Sequence, residues 1–413
     1  MSSTLDFRGD SHVNSRQASR PFHLLIKPIG PLCNLDCDYC FYLKKEDQFS
    51  KGRSFRMTDA VLERLTRSYI EQQPEGTREV NFAWQGGEPT LMGLEFFRKA
   101  VALQRRYRRP GMTITNALQT NGTLLNRAWA QFLKEEGFLV GISVDGPMRL
   151  HDQYRKDKKG RGSYSAVTKG VEWLRRHEVA HNFLCVVNRR NADHPNKVYR
   201  KLKALGAEHI QFIPLVEHDL FDLTSHPGSA MMSRSERKVS ERSVGAEQYG
   251  KFLNRVFDEW HAEDIGRVSV QNFEATFATL VYGTAHLCVN AAQCGRNLIA
   301  EHDGSIYSCD HFVYPSHKLG NLTETALGSL VDSPRQIEFG RSKTTRLTSD
   351  CQRCPYRKYC HGGCPAHRIQ PKGTEPHYGN YLCQGYKAYY RHTLDKFKSL
   401  HLAFSMNNVI ARQ

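Results

Sequence analysis

The chain has 413 residues, 58 Lys and Arg against 42 Asp and Glu for a formal charge of +16, twelve cysteines, and 39% hydrophobic residues of which aromatics form a good part. That apolar content suffices for two or three domains, or one barrel with an extension, and excludes wholesale disorder. No run of about 18 apolar residues occurs, so no transmembrane helix is expected.

Residues 1–20 are polar and lack an apolar h-region, which excludes a Sec signal and predicts a flexible tail on a cytoplasmic protein. In that compartment disulfides are rare, and clustered cysteines point to metal or redox chemistry. From residue 21 the chain alternates strand-like and helical stretches. The strand candidates are 22–30, 79–87, 114–122, 138–146, 181–189 and 209–217, rich in β-branched and aromatic residues. Between them, 58–73 carries Val61, Leu62, Leu65, Tyr69 and Ile70 as one helical stripe, and 126–137 runs from an Asn126 cap to Gly137.

Six β–α units in series imply a parallel sheet, because each parallel crossover needs a connecting helix. Six is short of eight, so the expected fold is α/β, a partial (β/α)6 TIM-like barrel over residues 21–245, with chemistry at the C-terminal strand ends. A polar loop follows at 218–243, then a helical connector at 246–284. Residues 285–390 hold eight of the cysteines and show little helical periodicity, as in a metal-stapled domain. A C-terminal helix and tail occupy 391–413.

The strand ends carry a loop C-x3-C-x2-C (Cys33, Cys37, Cys40), then QGGEP, QTNG and SVDG. Three thiolates so close suit an iron–sulfur cluster, or zinc with a distant fourth ligand, although zinc knuckles favour C-x2-C pairs and ferredoxins favour C-x2-C-x2-C. The later cysteines run Cys288, Cys294, Cys309, then Cys351, Cys354, Cys360, Cys364 and Cys383; zinc ribbons would also take them four at a time. Cys185, in the apolar FLCVV, is expected to be an inert core thiol. The basic surplus is spread over RRYRR (105–109), RKDKKGR (155–161) and the C-terminal helix. Eleven cluster thiolates, set against three metal cores of about +2 each, would lower it to about +11. Scattered charge of this kind is a solvated face rather than a nucleic-acid stripe, so no nucleic-acid or membrane partner is expected.

The three-cysteine loop, with Tyr39 before its last cysteine, resembles the radical S-adenosylmethionine (SAM) signature. The resemblance implies a 4Fe–4S cluster whose fourth iron is chelated by SAM, cleaved to a 5′-deoxyadenosyl radical. It further implies that Gly86, Gly87 and Glu88 hold the SAM amino group, Ser143 the ribose and Arg155 the SAM carboxylate. Val216 would meet adenine through its backbone, and Tyr39 belongs to the same set of cofactor contacts. Glycines permit close backbone approach and a carboxylate accepts from an ammonium; for Arg155 a plain surface charge is the alternative, for Val216 a core side chain. The C-terminal cysteine order resembles the SPASM domain, implying one auxiliary 4Fe–4S cluster on Cys288, Cys294, Cys309 and Cys364 and a second on Cys351, Cys354, Cys360 and Cys383.

KPIGPLCNLDCDYCFYL, FAWQGGEPTL, QTNG, SVDGP, HDQYRKD, CGRN, YSCDHFVYP and CPYRKYCHGGCPAHR together resemble the anaerobic sulfatase-maturating enzymes over about residues 22–395. The family implies oxidation of a cysteine or serine, in a C/S-x-P/A-x-R motif of an unfolded or nascent sulfatase, to Cα-formylglycine. A flavodoxin- or ferredoxin-type protein would donate electrons. Asp310 matches the family's proton acceptor, against the alternative that it caps a turn. Two other readings stay open: a SPASM maturase acting on a ribosomal precursor peptide by thioether formation or carbon oxidation, and a non-enzymatic zinc- and nucleic-acid-binding protein.

Overall fold

The structure, a computed structural model, describes residues 16–43, 45, 54–217, 239–285, 287–370 and 377–410. Most of the loop expected at 218–243 and residues 1–15 of the expected tail lie outside them. All six expected strands form: β1 His23–Lys27, β2 Glu79–Trp84, β3 Thr113–Thr120, β4 Leu139–Ser143, β5 His181–Val187 and β6 His209–Pro214. They pair in parallel and in chain order, β1 through β6. Each ends earlier than its apolar run, because the terminal Gly, Asn and Asp residues turn outward into loops.

The connecting helices are α1 Asp59–Glu71, α2 Leu94–Tyr107, α3 Arg127–Glu135, the short α4 Met148–His151, α5 Tyr164–Arg176, α6 Pro195–Ala204 and α7 Ala246–Glu263. Thr58 caps α1 by accepting from the Val61 amide, and Asn126 caps α3 by accepting from that of Trp129. The stripe Leu62, Leu65, Tyr69 and Ile70 of α1 is fully buried, each side chain contributing about 1.5–3 kcal/mol relative to exposure.

Three boundaries differ from expectation. Arg16–Arg20 is pinned rather than loose: the Ala18 amide donates to the Gln72 carbonyl at 2.9 Å, and Ser19 Oγ donates to Asp332 at 2.9 Å. The connector helix α7 closes the sixth β–α unit and packs along the C-terminal helix Cys383–Ile410, so Cys383 opens that helix.

The largest difference lies in the cysteine-rich segment. The connector adds β7 Ser269–Val270 beside β6, and the cysteine-rich segment contributes β8 Asn297–Glu301, β9 Ser305–Tyr307 and β10 Lys318–Asn321. β8 pairs in parallel with β1, His23 to Asn297 through Lys27 to Glu301, and β9 and β10 follow antiparallel. The barrel sheet therefore continues into the cysteine-rich part as one ten-stranded sheet, β10-β9-β8-β1-β2-β3-β4-β5-β6-β7. β9 ends at Tyr307, paired with Ile299, which itself pairs with Leu25, so the loop after β9 starts level with the middle of β1. No helix among the described residues is long and apolar enough to cross a membrane.

Candidate active site

Every strand end of β1 to β4 delivers a residue to one rim. After β1 the chain turns through Gly30 into the cysteine loop, and the QGGE segment after β2 is laid against it. The Gly87 amide donates to the Gly30 carbonyl and that of Glu88 to the Leu32 carbonyl, both at 2.8 Å. A Cβ on Gly87 would lie 1.8 Å from the Leu32 carbonyl oxygen, so only glycine allows this approach.

Glu88 departs from expectation. Its buried carboxylate accepts from Thr90 Oγ1 at 2.6 Å and Thr120 Oγ1 at 2.7 Å on one oxygen, and from the Asn121 amide at 2.7 Å on the other. It clamps the QGGEP turn to the QTNG turn, and burial raises its pKa. Asn121 carries the clamp onward, donating to Asn34 Oδ1 at 2.9 Å and lying 3.7 Å from Cys33 Sγ. Gln119 donates to Ser143 Oγ at 3.2 Å.

Asp145, which the sequence reading passed over, is the hub of the other side. Fully buried, it accepts from Arg155 Nε at 3.0 Å, from the Tyr39 hydroxyl, and from the Val186 amide at 3.0 Å. Arg155 is thus no surface charge: it is 7% exposed, and its guanidinium carbon lies 5.5 Å from the Tyr39 ring centre. Val216 is half-buried just beyond β6.

Across the rim, Asp310 starts a short 3-10 turn after β9, with no side-chain cap there. Its carboxylate turns instead to Lys27 at the end of β1, 2.7 Å from Nζ, and accepts from Gln85 at 3.1 Å. Burial works to raise the Asp310 pKa, but the Lys27 ammonium overrides it and holds the carboxyl below the usual value. Lys27 Nζ also sits 3.6 Å over the Tyr42 ring, and the Tyr42 hydroxyl donates to the fully buried Glu301. Lys27, Tyr42, Gln85 and Glu301 escaped the sequence reading. Their one signal was position, at strand ends or beside the cysteine loop.

The eleven candidate ligand thiols fall into groups. Burial pushes Cys33 up to about 11 and Cys37 up to about 12; Cys33 and Cys40 raise Cys37, and Cys40 raises Cys33. In the second group burial and proximity to Cys288 raise Cys294, Cys309 and Cys364. In the third, burial with Cys383 and Cys351 pushes Cys360 up to about 12. Cys351, Cys354, Cys360 and Cys383 line a cavity of about 60 Å³ with Tyr356, Tyr386 and Tyr390 around it. Among the described residues no three His, Cys, Asp or Glu close on one metal ion. Cubane ligands have no need to, since each thiolate meets a different iron. Buried thiols that repel one another's negative charge fit a cationic iron–sulfur core, whose binding would expel their protons. Cys185 is fully buried in β5, as expected of a core thiol.

The radical SAM superfamily matches residues 28–202, and an iron-sulfur cluster-binding domain, SPASM, matches residues 280–355. A serine-type anaerobic sulfatase-maturating enzyme of Klebsiella aerogenes is 42% identical over 90% of this chain and 84% of its own. A cysteine-type enzyme of Clostridium perfringens (strain 13 / Type A) is 34% identical over 91% of this chain and 97% of its own. The solved structure of native anSMEcpe with bound AdoMet and Cp18Cys peptide superposes with a TM-score of 0.80, at 34% identity over 93% of this chain and 99% of that one. Streptococcus suis SuiB bound to S-adenosylmethionine, at 16% identity and a TM-score of 0.60, shares the fold.

Proposed function

The chain belongs to the anaerobic sulfatase-maturating enzymes, and we propose that it carries out their reaction at the rim where β1, the cysteine loop and Asp310 meet. It is a radical SAM enzyme with a SPASM domain, three 4Fe–4S clusters and SAM, and it oxidises a cysteine or serine of a sulfatase to Cα-formylglycine. When bound, these groups supply the one-electron chemistry: removal of a hydrogen atom from the substrate Cβ and a sink for a second electron.

The chain's own residues do the rest. Cys33, Cys37 and Cys40 would hold the cluster at which SAM is bound. Arg155, its Nε held by Asp145, would bind the SAM carboxylate through its guanidinium, a charge-assisted contact in a buried setting. Ser143 would meet the ribose, the backbone of Gly86 and Gly87 the amino group and the Val216 backbone the adenine, while Tyr39 packs against Arg155. Glu88 acts on the amino-group side by holding that backbone in place. Cys288, Cys294, Cys309 and Cys364 hold one auxiliary cluster and Cys351, Cys354, Cys360 and Cys383 the other. Asp310 takes the proton from the substrate thiol or hydroxyl, kept ionised and aimed by Lys27 and Gln85.

The observation that carries this reading is the Lys27–Asp310 pair. It brings the residue next to Cys309 to the strand that leads into the cysteine loop. The substrate is the C/S-x-P/A-x-R segment of an unfolded or nascent sulfatase, met in the cytoplasm, and the electron donor is of flavodoxin or ferredoxin type. Anaerobic incubation with SAM, dithionite and both C- and S-type sulfatase peptides tests it by mass spectrometry. Loss of two hydrogens from the serine peptide, or exchange of sulfur and two hydrogens for oxygen in the cysteine peptide, is expected. SAM cleavage with neither change refutes it.

A further inference from the structure

The cysteine loop has an outer as well as an inner face. Its backbone on both sides of Cys37 is tied to the segment 154–163: the Asp36 amide donates to the Lys156 carbonyl at 2.8 Å and the Asp38 amide to the Tyr154 carbonyl at 3.0 Å. A bridge pairs Leu35 with Asp157, and another pairs Lys156 with Gly162, which makes the segment a small hairpin laid on the loop. Its inward residue, Arg155, belongs to the site. Its outward tip does not.

That tip is basic. Lys158 and Lys159 are exposed and have no ion pair among the described residues, while Lys156 balances Asp38 at 2.9 Å and Arg161 balances Asp157 at 2.7 Å. Among the described residues Asp36 is an exposed carboxylate nearby without an ion pair, so the tip keeps a positive excess there. A positive tip on a hairpin that is hydrogen-bonded to the residues on either side of a candidate cluster ligand, Cys37, is suited to one encounter above others.

We propose that the tip at Lys158 and Lys159 is the docking face for a small acidic one-electron carrier protein that reduces the cluster held by Cys33, Cys37 and Cys40. One electron leaves the carrier's reduced cofactor, which is oxidised, and enters the cluster; no bond forms or breaks and no proton moves. Complementary charge steers the encounter and sets its salt dependence. The inference rests on the proposed function, which supplies the cluster and its need for an electron.

The test uses the holoprotein and a flavodoxin with its NADPH-dependent reductase. Lys158→Glu/Lys159→Glu is expected to weaken flavodoxin binding about ten-fold at low ionic strength, a difference that shrinks at high salt. Flavodoxin-driven cluster reduction slows in parallel, whereas dithionite-driven peptide oxidation is unchanged. Arg353→Glu/Lys358→Glu, exposed beside the Cys351–Cys383 cavity, should leave binding as in wild type. Unchanged flavodoxin affinity in the first variant, or loss of binding in the second, overturns the docking face. Wild-type protein that binds and accepts the flavodoxin electron yet oxidises neither peptide with dithionite overturns the proposed function and leaves the docking face standing.

Discussion

Lys27→Met isolates the contact on which the site turns. Lys27 is 1% exposed and the Asp310 side chain 21%, with 2.7 Å between their charged atoms. Removing one partner of a buried pair typically costs about 3–5 kcal/mol, because the other charge stays buried without compensation. Asp310 is partly exposed and keeps Gln85, which places Lys27→Met near the lower end, about 3 kcal/mol. Asp310→Asn strands the ammonium instead, but the Tyr42 ring at 3.6 Å returns about 1–2 kcal/mol. The double variant removes both charges, so its loss should fall short of the sum of the singles by about 2 kcal/mol. Anaerobic denaturant titration of all four proteins measures the cycle, and deoxyadenosine and formylglycine yields from the same samples measure its consequence. Both single variants should still cleave SAM and make little formylglycine. Strictly additive stabilities, or wild-type formylglycine yield from Lys27→Met, would refute the reasoning.

Asp310→Asn alone should leave deoxyadenosine formation intact while formylglycine falls about a hundred-fold, since general-base groups contribute about 10²–10⁴; an unchanged peptide product shows that Asp310 is not the base. Replacing Cys33, Cys37 and Cys40 together by Ala should abolish SAM cleavage and leave about eight irons per chain, with an undiminished iron assay as the contrary result. Glu88→Gln should cost about 1–3 kcal/mol through the donors left facing an amide and lower iron retention with little change in SAM affinity. Weaker SAM binding at unchanged stability would mean that the carboxylate meets the SAM ammonium after all. His151, buried, with the Asp145 amide donating to Nδ1, is lowered from 6.5 to about 4, mainly by burial. The unfolded chain then binds the extra proton first as pH falls, so stability present above pH 6.5 is lost towards pH 4, by about 3 kcal/mol. A denaturation midpoint whose pH slope is the same in His151→Asn contradicts this.

The six barrel strands and the caps of α1 and α3 were legible because period and cap chemistry are local. The partition of the thiols was an expectation from family resemblance alone, and the structure places Cys288, Cys294, Cys309 and Cys364 within electrostatic reach of one another. What stayed hidden depends on pairing between distant segments. Nothing in NLIAE says that β8 pairs with β1, yet that register puts Glu301 opposite Lys27, the residue that Asp310 meets. Buried charge was equally hard to foresee: Lys27, Asp145 and Glu301 have the residue types of a surface, and only their partners explain their burial. Glu88 was recognised by its motif, but the donors that hold its carboxylate, Thr120 and Asn121 among them, lie on a distant turn.

The most direct measurement follows one hydrogen. A sulfatase peptide carrying deuterium at the Cβ of the target residue is incubated anaerobically with the enzyme, SAM and dithionite. The account predicts deuterium in the 5′-deoxyadenosine and formylglycine in the peptide, in matching amounts. Unlabelled 5′-deoxyadenosine beside an oxidised peptide would contradict it.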